Sequence, residues 1–154
     1  MAIFALDQVS KGLVAAALDV GQSFPEDGWV KITHVTNTGA AFGLFRGQSA
    51  MLTFTAGIAI VALLFYFSQP GHRRPLFQLA LALLLGGAAG NLTDRLRLGY
   101  VVDFIDLPRW PEFNIADSSI VIGITLLALL LALGDRAGAA PPRPTGPAAP
   151  SSGE

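Results

Sequence analysis

Three stretches of this chain are apolar over the length of a bilayer crossing, and few folds accept that. Ala50 to Phe67 reads AMLTFTAGIAIVALLFYF and carries no charge. Leu76 to Leu92 is interrupted only by Gln78 and Asn91, and Ile115 to Leu133 carries one charge, Asp117, near its start. A helix needs roughly 20 apolar residues to cross the hydrocarbon core, with a working range of about 17 to 25. The rival reading, buried helices of a soluble domain, fails on surface: 154 residues cannot hide three helices that are apolar all round. Composition agrees. Charged residues make up 14% of the chain and hydrophobic ones 52%, against about 25% charged in a soluble domain, and mean hydropathy is +0.54.

Met1 to Leu18 is a poorer run, apolar except for Asp7, Gln8, Ser10 and Lys11. A cleaved signal peptide carries its positive charge before the apolar stretch. Here the order is reversed, so this segment reads as a first span with polar residues inside it, which makes four. Arg73 and Arg74, in the short loop from Ser68 to Pro75, put that loop on the cytoplasmic side. The segment after Leu133, with Arg136 and Arg143, joins it, so both termini are cytoplasmic. The loops 19–49 and 99–114 then face outward, although Arg95 and Arg97 run slightly against the rule. Trp29 to Thr36 alternates with β-branched residues and predicts a short strand in the first outer loop. A small sheet there keeps its open edges in the wet interface. The expected fold is an all-α membrane protein: a four-helix bundle over residues 1–136 with a small extracytoplasmic sheet. Residues 137–154, rich in Pro, Ala and Gly, are expected to form a disordered cytoplasmic tail.

The polar residues inside the apolar frame are the informative ones, since an ionisable group at bilayer depth costs about 2.5 to 3.5 kcal/mol. Asn91 and Asp94 are three apart and share a helix face, as do Asn114 and Asp117. With Asp103, in the apolar string VVDFI, they gather at one depth on the outer side. Arg95 stands beside Asp94, and an ion pair or a helix hydrogen bond accounts for that aspartate. The helix dipole accounts in part for Asp117. Asp103 has no such excuse, whereas Asp106, two residues before Pro108, reads as a solvated turn residue. Two carboxylates close together in low dielectric share a proton and supply a base and an acid together. Such a pair hydrolyses amides without a metal.

Other chemistries fare worse. The chain has no cysteine, hence no disulfide, thiolate site or cysteine nucleophile. A net charge of -1 gives no case for nucleic acid. His34 reads as a surface strand residue and His72 as part of the basic loop, on opposite sides of the membrane, so a serine triad lacks its histidine. No metal or cofactor is expected; a carboxylate-bound hard cation is the residual option. Gly86 and Gly90 form GxxxG, which ordinarily means close helix packing.

Five strings in order, Asp7-Gln-Val-Ser-Lys11, Asn37-Thr-Gly-Ala-Ala-Phe42, Gly90-Asn-Leu-Thr-Asp-Arg95, Val101-Val-Asp-Phe-Ile105 and Phe113-Asn-Ile-Ala-Asp-Ser118, resemble the blocks of lipoprotein signal peptidase, or signal peptidase II. The resemblance runs from about Asp7 to Leu133. It implies a bacterial aspartic endopeptidase of the cytoplasmic (inner) membrane that acts without metal. It removes signal peptides from diacylglyceryl-modified prolipoproteins, cutting before the lipidated cysteine, and is the target of the cyclic peptide globomycin. By matching motifs, Asp103 and Asp117 would be the catalytic pair. Asn37, Asn91, Asp94, Arg95 and Asn114 would line or support the site, and Asp7 and Lys11 would support it from span one. The resemblance also implies a β-cradle on the membrane, and Phe42 and Phe45 would cover the site or meet lipid; the protein is expected to be a monomer. One departure concerns span one. Only six residues precede Asp7, a rise of about 9 Å in a helix. If Lys11 lies near the outer surface, the span is short by several turns and its true start lies upstream or has been trimmed; otherwise it runs from Ala2 to Leu18 with Asp7 deeper. Two other classes compete with the peptidase: a small proton-coupled transporter, since intramembrane acids serve proton relays, and a non-catalytic lipoprotein-binding scaffold.

Overall fold

The computed structural model describes residues 2–39, 49–68 and 75–138. Phe42, Phe45, His72, Arg73, Arg74 and the segment beyond Gly138 lie outside the described residues, as does the side chain of Arg136. The elements in chain order are α1 (Ala2–Ala17), β1 (Ser23–Phe24), β2 (Lys31–Asn37), α2 (Ser49–Phe67), α3 (Pro75–Leu98), β3 (Val101–Asp106) and α4 (Ile115–Gly138). Among the described residues, three helical segments, Ser49–Phe67, Pro75–Leu98 and Ile115–Leu133, are long and apolar enough to cross a membrane. The fourth helix, α1, has 16 residues and buries Asp7 and Lys11. Asp7 and Lys11 thus both lie within α1, which is not among the helices long and apolar enough to cross.

α3 is the hub, packing against α1, α2 and α4. Its small residues allow the close approach. A β-carbon at Gly86 would meet the Ile3 side chain of α1 at 2.9 Å, and one at Gly87 would meet Ala116 O of α4 at 2.5 Å. At Gly90, the other member of the GxxxG pair, a β-carbon would lie 3.1 Å from Asp7 Cγ of α1 and 3.4 Å from Ala116 Cβ of α4, so the pair is a packing device. α2 buries none of its residues, and large apolar side chains such as Phe54, Val61 and Phe65 are exposed along it. That surface suits lipid rather than water.

The three strands form an antiparallel sheet of order β1-β2-β3. β1 and β2 follow α1, β3 links α3 to α4, and Ser49 at the start of α2 donates to Gly99 O after α3 at 2.8 Å, so these helix ends meet at the sheet end of the bundle. β2 pairs with β3 through Ile32 with Ile105 and Val35 with Asp103, so one extra residue is accommodated around Thr33 and His34. This bulge corrects two expectations. Thr33 and His34 are consecutive yet both buried, because the extra residue breaks the alternation. His34 is therefore no surface residue: its Nδ1 donates to Leu18 O at 2.9 Å and ties the end of α1 to the sheet. The bulge also sets the phase of β2 from Val35 onward. Without it, Asn37 would face the opposite side of the sheet from Asp103.

The stretch Val101 to Asp106 is a strand rather than a loop, and its first four residues are buried. Asp106 closes that strand instead of making a solvated turn. It accepts from Thr33 Oγ1 at 2.8 Å and pairs with Lys31 Nζ at 3.1 Å, and the Thr33 hydrogen bond and Lys31 hold its carboxyl below the usual range.

Candidate active site

The interior at the sheet end of the bundle is polar. Among the largest fully buried side chains are Asn114, Asp7 and Asp103, beside Leu81. Each has a local reason to be there. Asn114 and Asp117 form a reciprocal box at the start of α4: Asn114 Oδ1 accepts from Asp117 N at 2.9 Å, and Asp117 Oδ2 accepts from Asn114 N at 3.3 Å. Phe113 returns alongside β3, exchanging hydrogen bonds with Ile105, which brings Asn114 to Asp103. Asp103 and Asn37 are diagonal neighbours on one face of the β2–β3 ladder.

Asp103 and Asp117 are both surrounded by donors. Asp103 Oδ1 accepts from Asn114 Nδ2 at 2.7 Å and Oδ2 from Asn37 Nδ2 at 2.8 Å. Asp117 Oδ1 accepts from Asn91 Nδ2 at 2.7 Å. The three amides cannot easily turn over, because each Oδ1 already faces a donor. Gly39 N donates to Asn37 Oδ1 at 2.9 Å, Asp117 N to Asn114 Oδ1, and Lys11 Nζ to Asn91 Oδ1 at 2.9 Å. Asn114 also spans the pair, its side-chain amide donating to the Asp103 carboxylate and its backbone N to the Asp117 carboxylate. Burial pushes the Asp103 carboxyl up to about 6; the charge of Asp117 adds to the rise, while hydrogen bonds from Asn37 and Asn114 and the charge of Lys11 oppose it. A carboxyl near neutrality beside a second carboxylate is suited to passing protons in both directions.

A second tier lies behind the pair. Lys11 Nζ sits 2.9 Å from Asp7 Oδ2 and 2.8 Å from Asp94 Oδ2. Asp7 is fully buried and accepts from Ala116 N of α4 at 2.9 Å through Oδ1, so a carboxylate from α1 serves the N-terminus of α4. Asp94 also accepts from Val102 N at 3.3 Å. Its ion partner is Lys11, not the adjacent Arg95, because successive helical residues diverge by about 100°. Arg95 instead donates to Gly39 O at 3.2 Å and weakly to Asn91 O at 3.5 Å. Gln8, not among the site residues expected from the sequence, joins this tier: its Nε2 donates to Asp94 Oδ1 at 2.9 Å and to Gly90 O at 3.3 Å. Its signal was present: Gln8 and Lys11 share a helix face at a spacing of three.

Asp103, Asp117, Asn37, Asn91 and Arg95 all line one cleft of about 1360 Å³. From this polar end the cleft continues as an apolar groove between α2 and α4, lined by Ala59, Leu63, Ile124 and Leu127 among others. Among the described residues, no group of three or more His, Cys, Asp or Glu side chains gathers to hold a metal.

Comparison with known proteins decides the family. The model of signal peptidase (SPase) II matches residues 1–133. The chain belongs to the signal peptidase II family. Lipoprotein signal peptidase of Moorella thermoacetica is 46% identical over 138 residues, covering 87% of this chain and 91% of that protein. Lipoprotein signal peptidase of Dehalococcoides mccartyi is 42% identical over 134 residues, covering 80% of each. A solved structure described as a bacterial membrane enzyme, obtained by the in meso method at 2.3 Å resolution, superposes with TM-score 0.83 at 35% identity, covering 91% of this chain and 88% of that one. Family membership and three apolar helices together make this a membrane protein.

Proposed function

We propose that this protein is a membrane aspartic endopeptidase that removes signal peptides from diacylglyceryl-modified prolipoproteins, cutting before the lipidated cysteine. The observation that carries the reading is the pair Asp103 and Asp117, held by three oriented asparagines at the polar end of a long apolar groove. The groove suits the apolar segment and acyl chains of a lipid-tethered substrate, and its polar end suits the scissile peptide. Membership of the signal peptidase II family supports the same substrate class.

In this mechanism Asp103 and Asp117 share one proton. The ionised carboxylate takes a proton from water as the water oxygen bonds to the scissile carbonyl carbon. The protonated carboxyl gives its proton to the carbonyl oxygen, producing a neutral tetrahedral diol. As the diol collapses, the proton held by the first carboxylate passes to the departing amide nitrogen and the C–N bond breaks. A diol proton returns to the second carboxyl, and the pair again holds one proton. Asn37, Asn91 and Asn114 hold the carboxyls throughout. Arg95, beside the pair, and Asp94, Asp7 and Lys11, behind it, support the site.

In the bilayer, α1 acts as a fourth span, both termini are cytoplasmic, and the sheet and the aspartate pair lie at the outer face of the bacterial inner membrane. Residues 1–136 form the peptidase domain, which acts as a monomer and binds globomycin-type cyclic peptides at the aspartate pair. The gathering of polar groups at one end favours a peptidase over a proton-coupled transporter, whose relay needs polar groups along the span. The test is mass spectrometry of a prolipoprotein incubated with the purified protein, with and without its diacylglyceryl group. Cleavage before the cysteine of the lipidated form alone is expected. Cleavage elsewhere, or none, would overturn the reading.

A further inference from the structure

Asn91 carries a donor group toward Asp117 only because something else holds its acceptor. Lys11 Nζ lies 2.9 Å from Asn91 Oδ1, and an ammonium has three donors and no acceptor. Its other two partners are Asp7 Oδ2 and Asp94 Oδ2, so all three donors are used. Reversing the Asn91 amide would set Nδ2 against the ammonium and turn Oδ1 toward Asp117 Oδ1, opposing two acceptors. The second contact at Asn91 Oδ1, from Asn114 Nδ2, is longer at 3.2 Å and belongs to an amide already engaged with Asp103 at 2.7 Å. Lys11 is therefore the stronger of the two locks. It is 3% exposed and does not line the cleft, so it does not meet substrate.

Resting on the reading of Asp117 as half of the catalytic pair, we propose that Lys11 is a positioning residue for the reaction, acting from α1 through the Asn91 amide of α3 to keep Asp117 of α4 aimed and available as an acceptor. A purely structural lysine, serving only as counter-ion to Asp7 and Asp94, has a different kinetic signature. Its loss lowers the amount of folded enzyme but not the turnover of the molecules that remain folded. A positioning lysine changes turnover itself, and only while Asn91 is present to be positioned.

The experiment measures kcat and KM for a diacylglyceryl-modified prolipoprotein, per folded molecule. The proteins are wild type, Lys11→Met, Asn91→Ala and the double variant. Removing the lysine alone leaves two buried carboxylates unpaired. The triple variant Asp7→Asn, Lys11→Met, Asp94→Asn takes the charges out together and stands in where Lys11→Met does not fold. The expected result is a kcat about 10 to 100-fold lower with KM within about twofold, and less than about twofold further loss when Lys11→Met is added to Asn91→Ala. A folded variant lacking Lys11 whose kcat stays within about threefold of wild type overturns the proposal. So does an equal loss with and without Asn91, because an interaction routed through Asn91 cannot be additive with its removal. Wild-type cleavage separates the two levels: if wild type does not cut, the peptidase reading falls and this proposal with it. If wild type cuts and the lysine variant cuts as fast, only the positioning role falls.

Discussion

Gly90 is where the fold has least room for change. A β-carbon there would overlap Asp7 Oδ2, lie 3.1 Å from Asp7 Cγ and touch Ala116 Cβ at 3.4 Å. The obstacle is not a free side-chain end: the Asp7 carboxylate is fixed by Lys11 Nζ at 2.9 Å and by Ala116 N at 2.9 Å. Gly90→Ala must push Asp7 off at least one of them. Breaking a buried ion pair costs about 3 to 5 kcal/mol, and the methyl returns about 0.8 to 1 kcal/mol of helix propensity. The net expectation is a loss of about 2 to 4 kcal/mol, read from reversible unfolding in mixed micelles. Gly57→Ala on α2 is the control, since a β-carbon there meets nothing within 4 Å; it is expected to leave stability unchanged or raise it by up to about 1 kcal/mol. In an Asp7→Ala background the cost of Gly90→Ala should disappear, because the colliding carboxylate is gone. Gly90→Ala behaving like Gly57→Ala, or a cost that survives Asp7→Ala, would show that the Asp7 carboxylate is not the obstacle.

The Asp103 carboxyl is raised from 3.8 to about 6, so the folded state binds this proton more tightly than the unfolded chain. Its contribution favours folding below about pH 4 and is lost as pH rises through about 6, a change of roughly 3 kcal/mol at about 1.4 kcal/mol per unit. Between about pH 4 and pH 7 the stability gap should therefore move toward Asp103→Asn, and a flat gap measured by unfolding contradicts this. Ala59→Trp fills the groove from α2, a helix that buries no residue of its own; a raised KM with unchanged unfolding is expected in the cleavage assay, and an unchanged KM would place the substrate elsewhere. Deleting residues 139–154 is expected to leave cleavage within about twofold of full length; a large loss would give that segment a part in the reaction.

Features carried by local composition are legible in the sequence. The apolar runs mark α2, α3 and α4 because a bilayer crossing needs continuous apolar length. The short strand expected at Trp29 to Thr36 is β2, at Lys31–Asn37. Features that depend on contacts distant in sequence are not legible. Val101 to Asp106 shows no strict alternation because its first four residues are buried, and a buried strand looks like any short apolar run. His34 reads as exposed because a bulge has no signature in the string THV. Proximity in sequence pairs Asp94 with its neighbour Arg95, yet its partner is 83 positions away on α1.

The candidate site divides along the same line. Asn114 and Asp117 stand three apart in the sequence, and with Asn114 just before the first residue of α4 that spacing closes their reciprocal box. The contact between Asn37 and Asp103 requires the pairing of β2 with β3 and the bulge that sets its phase. The Lys11–Asn91–Asp117 chain requires three helices to meet. Motif resemblance brings these residues into one set; the geometry supplies the reason each has the chemistry it has.

The central claim is that Asp103 and Asp117 together cleave a lipidated prolipoprotein. Purified wild type, Asp103→Asn and Asp117→Asn, each incubated with a diacylglyceryl-modified prolipoprotein in the presence of chelator, test it by gel shift. Wild type is expected to release the signal peptide, while both variants, folded by their unfolding curves, lose about 10³-fold or more of the rate. Substantial cleavage by both folded variants would contradict it.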